Sequence, residues 1–581
     1  MAADTLNIDA LRAKYREERD KRLEVKDRGK YIYLEGELAE RYDSDPWAPT
    51  DGARDPVSRD LEVVVVGGGF AGMLAAGNLR RHGVPADRLC IVDRGSDFGG
   101  TWYWNRYPGL SCDTESFCYL PLLEETGYVP TMKFASGFEI LEYCQRLADK
   151  FGFYEHCLFH TTVERTDWDE ASGRWIVETD RGDKMRARFV ILANGILTTP
   201  KLARIEGMET FAGESFHTSR WDYNVDLRGK TVGIIGTGAT AVQAIPELAK
   251  IAKELYVFQR TPSSIDVRDQ RATTDEERQA WAQEPGWARA RRARFAKISA
   301  GRTAMKANDD YLSGKTADFK ERKQYERMLS PEELLAKQLD TNFRIMEQIR
   351  ARVDAIVKDP KTAAALKPYY PYGCKRPTFH DEYLPAFNLP HVHLVDTAPV
   401  GVRSINARGV VHDGVEYPLD VLIYATGFQW MATSTFNMIT GRDGRTLKRK
   451  WEEEGTRTFL GLHSSGFPNL FIVSGPQGGG GSFNFTDAIY THSDYVVWML
   501  TTMRDRGDRI VDVRREPEAA YAEHCRESDI ASAPLRDCLS YYNGHGDAEP
   551  GSLAYYGGGR WHKLRIEAQA TLEPYLFEGA S

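Results

Sequence analysis

The sequence predicts an α/β protein with two parallel sheets, and two strand–turn–helix stretches carry that prediction. In the first, β-branched residues Val63 to Val66 run into Gly67, Gly69 and Gly72, and a helical pattern follows over Met73 to Arg81. In the second, Thr231 to Ile235 runs into Gly236, Gly238 and Ala241. A further stretch, Phe189 to Ala193, is apolar on both faces, which fits a strand covered on both sides within a parallel sheet.

Each glycine in the first stretch has a physical task. Gly67 permits the tight turn, Gly69 lets backbone approach a pyrophosphate, and Gly72 lets the helix pack close to the strand. The pyrophosphate would sit at the helix N-terminus, where N–H groups and the dipole favour negative charge. The strand Leu89 to Val92 ends in Asp93, at the spacing of an acid that binds ribose hydroxyls. Val63 to Leu79 carries no charge, but its spaced glycines fit a turn, and it is marginally short for a membrane span.

The second stretch has the alternative G-x-G-x-x-A form. Its next strand, Leu255 to Phe258, ends in Gln259, Arg260 and Thr261, with no acid at the ribose-reading position. A carboxylate would repel a 2′-phosphate, whereas a guanidinium pairs with one, so the second nucleotide reads as NADP rather than NAD.

Composition sets the frame. A chain of 581 residues is expected to form two or three domains. Hydrophobic residues at 42% and charged residues at 28% describe an ordinary globular protein. A net charge of −8 argues against general affinity for nucleic acid or anionic membrane. None of the 8 cysteines forms a C-x-x-C pair, so the simple reading is a reduced, cytoplasmic protein without disulfide staples. The N-terminus lacks an apolar signal-like core, and no metal site is expected.

Along the chain, residues 1–45 read as a helical arm, with Leu11, Tyr15 and Leu23 on one face. It would lie on the main body or shape a substrate entrance. Residues 46–205 form the first part of a flavin unit. Residues 206–385 form the nicotinamide unit, with a polar helical insertion over about 265–370. Residues 386–581 return to the flavin unit and end in a tail rich in Tyr and Gly. The aromatic run Trp102, Tyr103, Trp104 and Tyr107, just after the ribose acid, suggests a planar cofactor.

Two dinucleotide sites imply a hydride passing from nicotinamide to flavin. Onward transfer to a disulfide would need a redox cysteine pair, which the sequence lacks; reduction of O2 and oxygen transfer remain. Here two further patterns matter. Phe211-x-Gly213-x-x-x-His217-x-x-x-Trp221-Asp222 and Gly100-x-Trp102-x-x-x-x-Tyr107-Pro108-Gly109-x-x-x-Asp113 match the signatures of the flavin-dependent Baeyer–Villiger monooxygenases, which the chain resembles over about residues 60–500.

That resemblance implies FAD and NADPH as cofactors, and a ketone and O2 as substrates. It implies two Rossmann-like domains, and conversion of the ketone to an ester or lactone through a C4a-peroxyflavin. FAD would be held by Thr101, Trp102, Tyr103, Trp104, Asp113, Tyr119 and Val163 with Asp93. The NADP pyrophosphate would lie along Thr237, Gly238, Ala239, Thr240, Ala241, Val242 and Gln243. Arg260, Thr261 and Lys375 would take the 2′-phosphate, Arg376 would be the catalytic arginine, and Asp113 the acid that orients it. A guanidinium suits a peroxide anion that must stay deprotonated, because it remains charged without giving up a proton. His217 and Trp221 would form a hinge or a packed linker.

The sequence departs from the common pattern at Asp93, where many members have glutamate, and at Leu110-Ser111. The glycines Gly478 to Gly481 offer little bulk where relatives line the substrate, so a bulky cyclic, macrocyclic, steroid or terpenoid ketone is expected. An N- or S-oxygenase, or a flavoprotein acting as a redox-sensing module, are the competing readings. The sequence leaves open whether the protein is a monomer or a dimer.

Overall fold

The computed structural model describes residues 7–24, 31–32, 34, 36–49, 54–299, 331–429, 434–478, 484–529, 540 and 558–579. Parts of the arm and of the insertion, Gly479 to Gly481 and the Tyr555 to Gly557 stretch lie outside them.

The first sheet is built around Ser58–Val66, whose residues Val63 to Val65 are fully buried. It pairs in parallel with Leu89–Val92 on one side and Lys184–Leu192 on the other. Lys184–Leu192 has two partners in succession. Its first half pairs antiparallel with Arg174–Thr179, and Val190 to Leu192 pair in parallel with Leu470–Ile472. Its side chains alternate between exposed and buried in the first half and are buried without a break at the end. Alternation marks a sheet open on one face, and a continuous apolar run marks one covered on both. The helices Phe70–Arg81 and Phe485–Arg506 supply cover, joined by a buried hydrogen bond of 3.0 Å from Asn78 to Ser493.

The second sheet has five parallel strands in the order Val392–Asp396, Glu254–Gln259, Thr231–Ile235, Val421–Tyr424 and Glu214–His217. This corrects the expected boundary at 385/386, because Val392–Asp396 and Val421–Tyr424 belong to the nicotinamide sheet, not to the flavin unit. A short, wholly apolar strand such as Val421–Tyr424 fits the middle of either sheet, and only the pairing decides.

The insertion is helical, as expected, with Asp275–Gln283, Trp287–Ser299, Pro331–Ile356 and Pro360–Ala365. Thr274 and Glu277 form a reciprocal capping box at its start. The arm begins with the helix Ile8–Leu23 and lies on the body. Tyr15 accepts a hydrogen bond from Arg350 at 3.1 Å and packs on Phe343 at 5.3 Å between ring centroids. Tyr31–Ile32 pairs antiparallel with Leu202–Ala203, and Asp43 bridges Arg220 and Arg94 at 2.5 Å and 2.9 Å.

Among the described residues, Cys90, Cys112, Cys118, Cys144, Cys157 and Cys525 are free thiols, whereas Cys374 is disulfide-bonded. The expectation of a fully reduced set did not include that bond. Among the described residues, no helix is long and apolar enough to cross a membrane, and no group of three or more His, Cys, Asp or Glu could hold a metal ion.

The strand and helix of the first glycine turn meet without room for a methyl group. A Cβ at Gly72 would lie 1.8 Å from the Gly67 carbonyl oxygen. Gly72→Ala therefore forces the helix off the strand, and overpacking of this kind costs about 1–3 kcal/mol. A lowered denaturation midpoint, read by circular dichroism, is the expected outcome.

Candidate active site

Both glycine turns lead straight into helices. Gly67 has φ +116°, and a Cβ there would meet the Ala193 carbonyl oxygen at 2.4 Å. Gly69 caps the helix Phe70–Arg81. At the second turn Gly238 caps Ala239–Ile251, and a Cβ built on it meets nothing within 4 Å, so the cradle over that helix start is open. Gly238 is exposed, and Ala239 and Thr240 are half-exposed, which leaves first-turn N–H groups accessible to an anion. Ala241 and Val242 instead face the core. Thr237 is buried, and its hydroxyl donates to the Thr261 carbonyl at 2.8 Å.

Asp93 accepts hydrogen bonds from the backbone N–H of Gly68 and of Gly95, which fixes the carboxylate at the glycine turn. Each oxygen has a second lone pair that a ribose hydroxyl can use. The aromatic run divides. Trp102 packs edge-on to Tyr119 at 5.7 Å, and Tyr119 packs on Phe70 at 5.6 Å, so these rings stay beside the glycine turn. Thr101 is exposed beside them. Tyr103 and Trp104 turn toward the arm and linker. The Tyr103 hydroxyl donates to Asp45 at 2.6 Å, and the Arg220 guanidinium lies 4.0 Å over the Trp104 ring. Val163 is buried in a cluster with Val66, Val92 and Leu158.

Gln243 also departs from expectation. Its amide accepts from the Tyr107 hydroxyl at 3.0 Å and donates to the Ser111 carbonyl at 3.0 Å. A Cβ at Gly109 would lie 2.3 Å from the Gln243 carbonyl oxygen. The start of the nicotinamide helix is thus stitched to the flavin loop.

That loop ends in Asp113, whose carboxylate lies between two arginines. Arg376 donates to Oδ2 at 3.1 Å from a side chain that is 48% exposed. Arg268 donates to Oδ1 at 3.2 Å from a side chain that is only 6% exposed. The same guanidinium reaches the Ser111 hydroxyl at 2.7 Å, the Cys112 carbonyl at 2.5 Å and the Phe379 carbonyl at 3.2 Å. Sequence reasoning missed Arg268, because no motif marks it.

The cations expected around a 2′-phosphate come from separate segments. Arg260 is exposed at the end of Glu254–Gln259, and Thr261 follows it. Burial pushes the Lys375 ammonium down to about 7, and the charges of Arg260 and Arg22 push it further the same way. Lys201 is held at about 8 by burial and by Arg260. Arg22 belongs to the arm helix, which no motif pointed to.

The linker signature forms the edge strand Glu214–His217 of the second sheet, with Tyr424 opposite His217. His217 and Trp221 are buried, as a packed linker requires, and the His217 ring pairs with the Ser219 hydroxyl at 2.8 Å. A crevice lined by Asn194, Gly195, Ile196, Val473, Ser474 and Gly475 opens beyond the carboxyl ends of Lys184–Leu192 and Leu470–Ile472, where parallel sheets bind ligands.

A Baeyer–Villiger monooxygenase from Streptomyces coelicolor is 43% identical over 96% of this chain and 94% of its own length. The chain belongs to the Baeyer–Villiger monooxygenases. A family model described as pyridine nucleotide-disulphide oxidoreductase matches residues 64–274. The solved polycyclic ketone monooxygenase from Thermothelomyces thermophila is 37% identical, has a TM-score of 0.89, and is covered over 98% of this chain and 99% of that one. A structure named as an OTEMO complex with FAD and NADP is 29% identical with a TM-score of 0.75, covering 90% of this chain and all of that one. This Baeyer–Villiger monooxygenase is an FAD- and NADPH-dependent oxidoreductase that uses O2 to convert a ketone to an ester or lactone.

The buried His217 gives a pH signature. Burial, with the Arg220 charge adding, holds its pKa at about 3, against an ordinary 6.5. Above 6.5 neither folded nor unfolded state protonates it. Below that, only the unfolded chain takes the proton, so stability falls as pH drops from 6.5 toward 3, at up to about 1.4 kcal/mol per pH unit. In His217→Gln, denaturation curves between pH 6.5 and 4 should show that slope reduced by this amount.

Proposed function

We propose that Arg376 is the catalytic cation and Asp113 the carboxylate that aims it. The ion pair of 3.1 Å between them, closed by residues 263 positions apart, carries the reading. Bound flavin and NADPH would supply hydride transfer and the activation of O2. The side chains supply charge and orientation. Arg376 is half-exposed, so it can meet a ligand while tethered, and it offsets negative charge that develops on the ketone oxygen. A guanidinium stays protonated throughout, so it does not quench an anionic nucleophile as a lysine would. Asp113 pairs with the guanidinium and restricts its orientation.

The first glycine turn, with Asp93, Trp102 and Tyr119, would hold FAD. The backbone at Gly238, Ala239 and Thr240 would take the NADP pyrophosphate, and Arg260, Thr261 and Lys375 the 2′-phosphate. The substrate we assign is a bulky polycyclic or terpenoid ketone. The similarity to a polycyclic ketone monooxygenase supports it.

Arg376→Ala should keep NADPH-driven flavin reduction and lose at least about a hundredfold in ester formation, with hydrogen peroxide released instead. Ester formation at the wild-type rate would remove the assignment. Arg260→Ala should raise KM for NADPH about ten- to a hundredfold while leaving KM for NADH unchanged, because a charge-assisted contact contributes about 1.5–3 kcal/mol. For substrate class, kcat/KM for a fused-ring ketone should exceed that for cyclohexanone; the reverse order sinks the assignment.

A further inference from the structure

One carboxylate and one guanidinium make a neutral pair, which is a weak field for stabilising an anion. Asp113 is not in that situation. Arg268 occupies Oδ1 and Arg376 occupies Oδ2, so the cluster of these three groups carries a net positive charge. The two arginines are not equivalent. Arg268 is nearly inaccessible and held by four oxygens: Asp113 Oδ1, Ser111 Oγ and the carbonyls of Cys112 and Phe379. Arg376 is half-exposed.

The other charged groups around Arg268 do not cancel it. Asp381 accepts the Arg268 backbone N–H at 3.0 Å, and its carboxylate also faces Arg352 at 3.8 Å. His380 is pushed down to about 4 by burial first and then by the Arg268 charge, although Glu382, Asp381 and Asp113 all pull it upward. A buried arginine without adequate partners would be costly, and here its fork is filled by oxygens in fixed positions.

We propose that Arg268 is a positioning residue for oxygen insertion: it clamps Asp113 and shares its negative charge, so that the Asp113 carboxylate offsets less of the Arg376 charge at the reacting oxygens. This rests on the assignment of Arg376. It adds a second requirement, that the carboxylate between the arginines be shared.

The test compares Arg268→Met, Arg268→Lys and Arg376→Ala in the holoenzyme. Flavin content and thermal midpoint are recorded first. Arg268→Met should be reduced by NADPH within about twofold of wild type, yet form at least about tenfold less ester per NADPH, the difference appearing as hydrogen peroxide. The loss should lie in kcat, with KM for the ketone little changed. Arg268→Lys keeps the charge and should recover most of the coupling. The bound-flavin potential, read by reductive titration, should fall in Arg268→Met and stay near wild type in Arg268→Lys, since it follows nearby charge.

Wild-type coupling and potential in Arg268→Met overturn the inference, and so does equal impairment of the Met and Lys variants. If Arg268→Met does not fold, Arg268→Lys decides: coupling as poor as in Arg376→Ala overturns it. If Arg376→Ala itself still makes ester, the assignment of Arg376 falls first. If only Arg268→Met is silent, the assignment stands and this inference alone fails.

Discussion

The organising constraint of this molecule is a carboxylate that lies between two bodies of the fold and is satisfied by only one of them. Asp113 comes from the loop that follows the first glycine turn. Both of its guanidinium partners, Arg268 and Arg376, come from segments that join or follow the second sheet. A mostly buried carboxylate, 13% exposed, is expensive without partners, so the loop is stable in this position only when the second body is docked. Assembly of this ion-pair cluster and docking of the second body on the loop are therefore coupled.

Gln243 extends the same logic. It begins as part of a nucleotide fingerprint, but its side chain bonds to Tyr107 and Ser111 on the flavin loop. Any relative motion of the two bodies would have to exchange those bonds or carry the loop along. A motion of the helix Ala239–Ile251 would therefore pull on Ser111, two positions from Asp113. The linker strand Glu214–His217, buried at Phe216 and His217, pairs along its length with Val421–Tyr424 and so ties the linker to that helix's own sheet.

What could be read from the chain beforehand follows the range of the interactions. The glycine turns, the place of Asp93 beside the first of them and the Asp113–Arg376 contact were legible, because turn geometry and motif spacing are short-range rules or part of a recognised signature. Four features were not. Val392–Asp396 and Val421–Tyr424 were placed in the wrong unit, since a buried apolar strand carries no label for its sheet. Tyr103 and Trp104 were grouped with the cofactor, because aromatic density does not say which face a ring takes. Gln243 has the right position in its motif but spends its amide elsewhere. Arg268 sits in a polar stretch without periodicity, and its partners lie far along the chain, Asp113 155 positions away and Phe379 111.

The amino-terminal arm has a consequence of a different kind. Its helix rests on Arg350 and Phe343, its short strand joins Leu202–Ala203 beside Lys201, and its Asp43 grips both Arg220 of the linker and Arg94 next to Asp93. A 29%-identical structure is spanned completely by 90% of this chain, so length alone invites trimming. Yet the arm is fastened across the seam like a strap over a hinged case. A shortened version would lose the contacts that tie the insertion, the Leu202–Ala203 segment and the linker to one another through a single stretch of chain.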